Sequence, residues 1–480
     1  MLGNLGRGLC LSVRPISFLV AGLFLGLSGA SCTLSATDTV DDTAGTSSTL
    51  LTPPTHTPVL VSTKTLVTIA LPTQTHLPRT AGSGNTDTPV PATTPTPKDI
   101  GDSGTYTAEE GDLDRIFGRY PCIEDRAVRF TSSFYPSELI TAIIPMGKVA
   151  PGSGHVTPTD HLYIHRDPPQ GEDQDYVLAP ADGIIVNIQR FPEDQPLIAG
   201  DWSSPNVPDH RVVIMHSCSL FTIFIHLGEF TEAIAEQTGE IPLNGNWSFG
   251  ASPPIELKSG QPIAIFGGDS NDWSVHDADK TLTGFVVPEH YEVEEWKIHT
   301  VDPFQFYDEP MKSELLSKAI REVEPIAGKI DYDIEGTISG NWFLDGTVDY
   351  SGNAPMDTPR YWEGHLYIGY GYIDPTQIRI SIGFDTGINK DLCNICRGAY
   401  GVRGNQPDPN TVNSDSGIIK YELMSREENS RWIREQVGDT SLGTFLVQHL
   451  GDQTIRIEVI ADQNPDEVSG FSEDARIYRR

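Results

Sequence analysis

The sequence predicts an all-β protein with two antiparallel domains behind a long N-terminal segment that does not fold. Three observations support this expectation. Short alternating segments rich in Val and Ile recur after about residue 109, separated by Gly, Pro, Asp and Asn. Only two stretches show the spacing of an amphipathic helix. Before residue 107, Thr, Pro, Ser and Gly dominate, and such a composition cannot bury enough apolar surface to fold.

The N-terminus has the layout of a secretory signal. Two arginines precede an apolar run from Ile16 to Leu27, and small residues then lead to Cys32. This run is too short for an ordinary membrane-spanning helix. Residues 1–32 therefore predict export, with Cys32 as the lipidation site of a candidate bacterial lipobox. Plain secretion after cleavage at the small residues is the alternative. A diacylated cysteine would anchor the chain to a membrane.

Residues 33–106 predict a disordered Thr/Pro-rich linker that holds the folded domains away from a membrane surface. The net charge of −33 argues against a nucleic-acid partner, because phosphate binding needs clustered Lys and Arg. The sequence shows no second apolar run that is long enough to span a bilayer. We therefore expect an extracytoplasmic protein, either a membrane-anchored lipoprotein or a secreted one.

The folded part divides into two β domains joined by a helix. Residues 107–310 predict the first, with strands at Tyr176–Ala179, Ile184–Ile188, Arg211–Met215, Leu220–Ile225 and Pro262–Phe266. Residues 311–325 predict a connector helix from Lys312 to Val323, whose apolar residues share one face. Residues 326–480 predict a small antiparallel barrel or sandwich. Its strands are Gly336–Gly340, His365–Tyr370, Ile378–Ile382, Phe445–Gln448 and Ile455–Ile460, with one helix at Glu427–Val437 closed by Gly438.

Four cysteines remain once Cys10 and Cys32 are set aside. An even number favours disulfides in an oxidising compartment. The pairs Cys122–Cys218 and Cys393–Cys396 each stay within one predicted domain. The CxxC motif formed by the second pair has two alternatives, a redox-active site or half of a zinc knuckle.

Nine of the 13 histidines lie between His155 and His299, which is the main chemical signal of the chain. Neutral imidazole is the commonest zinc ligand. His161 and His165 are four residues apart, so on a strand they point to the same face. Their side chains lie about 13 Å apart on a straight strand, so both could bind one metal only if the chain bends between them.

The order of motifs in this region resembles the lysostaphin-type zinc endopeptidases, which cleave peptide crosslinks of peptidoglycan. That family has His-x-x-x-Asp, which corresponds here to His161-Leu-Tyr-Ile-His165. It then has an Ala-x-x-Asp-Gly turn, which matches Ala179-Pro-Ala-Asp182-Gly. A strand ending in His216 and a strand ending in His226-Leu227 follow, and Gly260-Gln-Pro-Ile263 matches the family's Gly-Gln-x-Ile turn.

The resemblance implies a zinc site with His161, His165 and a third ligand, and His226 as the general base or as a stabiliser of the tetrahedral intermediate. The family's closing His-x-His is incomplete here. Asp272, His276 and His290 are the alternatives for the third ligand, and His276 is our primary assignment. His216 or Glu292 could substitute for the missing second histidine.

Two functions follow from this resemblance. The first is a zinc metalloendopeptidase that acts on peptidoglycan or another extracellular peptide. The second is a catalytically inactive relative that binds such a peptide or serves as a surface scaffold. The incomplete His-x-His motif separates these alternatives, because full activity in the family requires both histidines.

Overall fold

The computed structural model of the protein describes residues 126–151, 154–167, 175–191, 208–249, 253–268, 270–352, 362, 364–383, 397–428 and 435–480. All of them belong to one compact unit, Lys98–Arg480. The leader, the predicted linker and five cysteines (Cys10, Cys32, Cys122, Cys393 and Cys396) lie outside the described residues. Across the described part of the chain, no helix has the length and apolar character needed to cross a bilayer.

The first domain is an antiparallel sheet of ten strands within the described residues. The strands β1 to β10 are, in chain order, Ile140–Ile144, Leu162–Arg166, Tyr176–Leu178, Gly183–Arg190, His210–Met215, Leu220–Phe230, Asn246–Ser248, Ile255–Leu257, Pro262–Phe266 and Ser270–Asp277. Their main spatial order is β1-β2-β10-β6-β5-β4-β7, while β8 pairs with β4, and β9 pairs with β3 and β6. This arrangement confirms the all-β antiparallel class that the alternating pattern predicts.

The sheet buries apolar side chains on both faces, because successive side chains of a strand point in opposite directions. On one face, Trp273 of β10 packs with Phe224 of β6 in the main core. The other face carries Asp272 of β10 and a smaller apolar cluster that includes Ile223 and Trp296. We call this second face the Asp272 face. Trp296 belongs to the 3₁₀ segment Pro288–His299, which packs over it.

Two short α-helices, α1 at Glu232–Thr238 and α2 at Met311–Leu316, lie in the described residues. The prediction of one connector helix from Lys312 to Val323 was therefore too long. The Ile143 N–H of β1 donates to the Lys318 carbonyl, and the Ile320 N–H donates to the Ile143 carbonyl. These bonds to a neighbouring strand replace the helical bonds that the second half of the predicted helix would have made.

The second domain is a closed barrel, which decides between the predicted barrel and sandwich. Its strands β11 to β18 are, in chain order, Gly340–Leu344, His365–Tyr370, Ile378–Ile382, Gly398–Val402, Ile419–Glu428, Glu435–Gly451, Thr454–Ala461 and Arg476–Arg479. Each strand pairs with the next, and β18 pairs back with β11. Large side chains fill the interior, among them Trp342, Tyr421 and Phe445. The barrel therefore encloses a packed core.

Two predicted elements of this domain were wrong. The predicted helix Glu427–Val437 overlaps the ends of β15 and β16, which pair with each other through Arg426 and Val437. Ladder hydrogen bonds between these long strands override the local helical pattern. The predicted strand Gly336–Gly340 is a turn, and β11 begins only at Gly340. There the Thr337 hydroxyl donates to the Ile334 carbonyl, a local bond that competes with strand pairing.

The two domains share buried contacts. Phe343 and Tyr350, from the barrel side of the chain, belong to the main core of the first domain. The Asn341 side-chain amide donates to the Tyr291 hydroxyl at 2.7 Å. This junction fixes the 3₁₀ segment Pro288–His299, which includes Tyr291, between the sheet and the barrel.

Candidate functional site

Histidines from two parts of the chain meet one aspartate on the Asp272 face. His161 lies immediately before β2, and His226 lies near the end of β6. Strand β10 runs between these two strands, with Asp272 opposite Tyr163 on one side and Ile225 on the other. The sheet register therefore brings the two histidines to the same carboxylate from opposite sides.

A β-bulge puts His226 on this face. Between two consecutive register pairs, β5 has one residue, Arg211, whereas β6 has two, Ile225 and His226. His226 has φ 66°, the left-handed region that residues other than glycine rarely adopt. Ile225 already points to the Asp272 face, so regular alternation would send His226 into the main core. The bulge turns it back, and Leu227 takes the core position instead.

Neighbouring residues hold this unusual backbone. The Gly267 N–H donates to the His226 carbonyl at 2.9 Å. The Asn271 side-chain amide also donates to that carbonyl. Backbone strain of this kind persists where the surroundings specify it, and it is common at functional sites.

Each histidine is oriented by a second carboxylate. His161 Nδ1–H donates to Asp160 Oδ1 at 3.0 Å, and His226 Nδ1–H donates to Asp209 Oδ2 at 3.0 Å. The opposite ring nitrogens face Asp272 Oδ2, with Nε2 of His161 at 3.3 Å and Nε2 of His226 at 3.5 Å. We call these five residues the histidine–aspartate cluster.

The charged groups of the cluster shift one another's pKa values. Burial alone would lower the pKa of His226, but the charge of Asp272 and the hydrogen bond to Asp209 outweigh it and raise the pKa to about 9. Burial likewise opposes charge on His161, yet Asp272 and Asp160 raise its pKa. The pKa of Asp160 is lowered although burial opposes this, because the hydrogen bond from His161 favours the carboxylate. Without a metal, the His226 imidazole is therefore protonated at neutral pH, and the carboxylates shift His161 in the same direction.

Two spacings between donor atoms of the cluster are those of zinc ligands. Zinc binds imidazole nitrogen and carboxylate oxygen at about 2.0–2.2 Å in tetrahedral geometry, which places two ligand atoms about 3.4 Å apart. The two Nε2–Oδ2 distances of 3.3 and 3.5 Å match this spacing. A charge-assisted hydrogen bond would be shorter, about 2.7–2.9 Å. Moreover, His161 Nε2 and Asp272 Oδ1 are buried without a hydrogen-bond partner. His161, His226 and Asp272 are the residues that would hold the ion.

Both Nε2 atoms face the same oxygen of Asp272. Within the described residues, no group of three or more His, Cys, Asp or Glu side chains is arranged so that it could hold a metal ion. A zinc ion would have to enter between the two Nε2 atoms and the carboxylate. The Nδ1 contacts with Asp160 and Asp209 are the orienting arrangement that metal-binding histidines usually have.

The fold does not bring together the zinc ligands that the sequence predicts. His165 lies at the far end of β2, opposite Ser270, while Asp272 lies opposite Tyr163. Strand β2 is paired with β1 and β10, and this pairing places His165 two residues beyond the position opposite Asp272.

His276 shares the Asp272 face, but both of its ring nitrogens bind protein atoms. His276 Nδ1–H donates to the Trp296 carbonyl at 2.9 Å, and Nε2 accepts from the Ser274 hydroxyl at 2.8 Å. Burial lowers the pKa of His276 to about 4, so its ring is neutral. These contacts give His276 a structural role, and of the three alternatives for the third ligand only Asp272 lies in the cluster.

The remaining candidates lie elsewhere. His290 Nε2 is 3.6 Å from Asp349 Oδ1, near the barrel junction. His216 is fully buried, where Nδ1–H donates to the Asp182 carbonyl and Nε2 accepts from the Thr222 hydroxyl. Neither can replace a histidine of the cluster from these positions.

Sequence reasoning missed Asp160, Asp209 and His155. Asp160 directly precedes His161, so its proximity could have been noted from the sequence. Asp209 is 17 residues from His226, and only strand pairing brings them together. The centre of the His155 ring lies 5.5 Å from the centre of the His161 ring. Burial lowers the pKa of His155 well below its usual value.

Cys218 is disulfide-bonded. Its predicted partner, Cys122, lies outside the described residues, as do Cys393 and Cys396.

The comparisons with known proteins do not identify a family for this chain. No protein-family profile matches this chain, and no curated protein matches it. A solved structure, the binding domain of Paraclostridial Mosquitocidal Protein 1, aligns at 9% identity over 71% of this chain and 75% of that chain, with a TM-score of 0.12. A similarity at that level carries no argument about fold or function.

Proposed function

We propose that this protein is an exported zinc-dependent peptidase whose substrate is an extracellular peptide, with peptidoglycan peptides as the expected source. One observation carries the proposal. Two imidazoles, each held by a carboxylate on Nδ1, present Nε2 to Asp272 at the spacing of zinc ligands. The order of sequence motifs that resembles the lysostaphin-type enzymes supports it independently.

The residues of the cluster have distinct roles in this proposal. His161, His226 and Asp272 hold the zinc ion, while Asp160 and Asp209 keep each Nδ1 protonated and each ring in place. When bound, zinc supplies a Lewis acid that polarises the scissile carbonyl and acidifies a water molecule. Asp272 is 4% exposed, so the cluster is largely shielded from bulk water, which strengthens its electrostatic interactions.

The proton acceptor is reassigned from His226 to His155. A base must be neutral at the working pH, and the raised pKa of His226 makes it a cation without a metal. As a zinc ligand, it would have no free nitrogen. The pKa of His155 lies well below its usual value, so its ring is neutral beside the cluster. Its ring lies edge-to-face with the His161 ring, with 5.5 Å between the two ring centres.

Charge balance is compatible with zinc. The three carboxylates are balanced by two imidazolium rings and the ammonium of Lys297, a buried neighbour that affects the titration of Asp160 and His161. Zinc with two neutral imidazoles gives the same balance. Binding should therefore release protons from the imidazoles and become tighter as the pH rises.

Export and anchoring remain part of the proposal. The signal-like N-terminus supports export, and Cys32 supports a lipid anchor. The disulfide at Cys218 supports an oxidising compartment. The barrel would then act as a binding or scaffolding module.

The alternative is a binding protein without catalysis. Lys297 favours it, because this lysine is 2% exposed and its ammonium donates to the Pro158 carbonyl at 2.7 Å. A fixed buried cation beside the cluster opposes the entry of a divalent ion. In this alternative, the two imidazolium rings and Asp272 form a permanent ion-paired network that shapes a peptide-binding surface.

Elemental analysis of the purified full chain tests the proposal. We expect about one zinc per chain after incubation with excess zinc and dialysis, and at least a tenfold loss of bound zinc in Asp272→Asn. His299→Gln is the matched control, because this histidine binds the Lys280 carbonyl outside the cluster. The zinc-loaded protein should release peptides from insoluble peptidoglycan, and a chelator should stop the release.

Absence of zinc, or equal zinc in Asp272→Asn and the wild type, would contradict the metal site. Peptide binding that a chelator leaves unchanged would then favour the binding protein. Zinc that is bound without any peptide release would retain the site and contradict the peptidase.

A further inference from the structure

Arg211 has an unusual environment for a buried arginine. It lies on β5 with 7% of its surface exposed, and its guanidinium carbon lies 4.6 Å from the centre of the Trp296 ring. Its Nε is buried without a hydrogen-bond partner. Within the described residues, Arg211 forms no ion pair with a carboxylate. Burying a guanidinium without an anion is costly, so such an arrangement needs an explanation.

Other buried arginines of this chain are satisfied. Arg166 pairs with Asp175 and stacks on Phe266 at 4.0 Å. Arg480 stacks on Trp342 at 4.2 Å, and its guanidinium donates to three backbone carbonyls. In both cases the stacked guanidinium also donates hydrogen bonds to oxygen acceptors. Arg211 stacks on the Trp296 ring, but its Nε has no hydrogen-bond acceptor.

The sheet register places Arg211 beside the histidine–aspartate cluster. On β5, Val213 belongs to the apolar cluster of the Asp272 face, so Arg211, two residues earlier, points to the same face. Arg211 stands opposite the bulge that carries His226. Since β6 separates β5 from β10, Arg211 and Asp272 lie two strand spacings apart, about 10 Å at the backbone.

We propose that Arg211, held against Trp296, binds a carboxylate of the peptide that occupies the cluster. The planar guanidinium donates two parallel hydrogen bonds to a carboxylate, and the aromatic ring holds it in the required orientation. A separation of about 10 Å corresponds to about three residues of extended peptide. The site would therefore select a peptide whose acidic side chain or free C-terminus lies two or three residues from the bond at the cluster.

This inference extends the proposed function by naming the class of peptide, and it does not require zinc. One competing partner lies within the chain. Asp209 precedes Arg211 by two residues, and its Oδ1 is also buried without a hydrogen-bond partner. Its Oδ2 already binds His226 Nδ1, and the structure shows no bond between its Oδ1 and Arg211 within the described residues.

The test compares two peptides that differ only in one carboxylate. Acetyl-tetraalanine with a free C-terminus and the same peptide with a C-terminal amide are titrated into the full chain, treated with a chelator, while the Nε–Hε resonance of Arg211 is followed by NMR. We expect the acid to bind at least tenfold more tightly than the amide and to shift the Arg211 resonance. Arg211→Gln should remove this preference, and Arg211→Lys should keep part of it.

The controls keep the result interpretable. Arg190→Gln removes a neighbouring, partly buried arginine that donates to the Ile241 carbonyl, and it should keep the preference. A circular-dichroism melt establishes that each variant is folded. Equal binding of acid and amide to the wild type, no binding of either, or a preference that survives Arg211→Gln would overturn the proposal. The same preference in Asp272→Asn, which is expected to lack zinc, would show that the subsite holds even if the zinc proposal fails.

Discussion

His226 combines a strained backbone with a raised pKa, and both arise from its partners. Its left-handed conformation is held by Gly267 and Asn271, while Asp209 and Asp272 stabilise its charged ring. A histidine with one neighbouring carboxylate is common. A partly buried histidine between two carboxylates must either remain protonated or exchange its proton for a metal ion.

The metal-free protein should lose stability as the pH rises through the titration of His226. Its pKa is about 9 in the folded state and about 6.5 in the unfolded chain, so its stabilising contribution is complete below pH 6.5 and disappears by about pH 9. The His226 side chain is only 28% exposed, so solvent screens its charge interactions only in part. We therefore expect the free energy of unfolding to fall by about 2 kcal/mol. Urea unfolding of chelator-treated protein between pH 6 and pH 9.5 measures this loss.

His226→Gln is the control for this titration. It should lack most of the decrease because glutamine does not titrate. Parallel curves for the two proteins would contradict the assignment. Added zinc should reverse the trend in the wild type, because the ion binds deprotonated rings and stabilises the folded state more as the pH rises.

At the scale of elements, the bulge between β5 and β6 determines which face His226 occupies. A strand that alternated regularly would direct this ring into the main core beside Phe224. The close approach of Gly267 to the bulge explains why a glycine stands there. A Cβ at this position would overlap the His226 carbonyl oxygen.

Gly267→Ala should therefore disturb the bulge. We expect about 2 kcal/mol of destabilisation and a loss of zinc binding, because the His226 backbone must move away from the added methyl group. Thermal unfolding and elemental analysis measure the two effects. Gly470→Ala is the matched control, since its Cβ would make an ordinary 3.8 Å contact with Ile418. A Gly267→Ala protein with wild-type stability and zinc content would contradict this role.

For the whole molecule, Arg480 ties the end of the barrel to its beginning. Its guanidinium donates to the carbonyls of Ser339, Ile334 and Thr337, stacks on Trp342, and lies 3.7 Å from Asp333. These groups lie at or just before β11, whereas Arg480 follows β18. One side chain thus reinforces the closure that strand pairing between β11 and β18 begins.

Arg480→Ala should destabilise the protein by about 3–5 kcal/mol, because it leaves buried acceptors and the Asp333 carboxylate without their cation. Arg479→Ala is the neighbouring control. Arg479 is 57% exposed and pairs with Asp345 at the surface, so its loss should cost less than about 1 kcal/mol. Urea unfolding compares the two variants, and equal effects would show that Arg480 does not secure the barrel.

The alternation of apolar and polar residues was enough to predict the all-β class and all the strands proposed for the first domain. This pattern is local, and each strand carries it within a few residues. Where long-range pairing competed with local preference, prediction failed. The segment at Glu427–Val437 has a helical pattern, yet strands β15 and β16 pair across it.

The candidate site likewise has some features that the sequence predicts and others that only the fold determines. The sequence by itself determined that the chain is acidic, that its histidines concentrate in the first domain, and that His161 and His226 are candidates. Only the tertiary structure decided which groups meet. Asp209 and Asp272 reach the histidines through strand pairing, and the bulge assigns His226 to its face. A residue type determines the chemistry that a side chain can perform, whereas the register of distant strands determines which side chains perform it together.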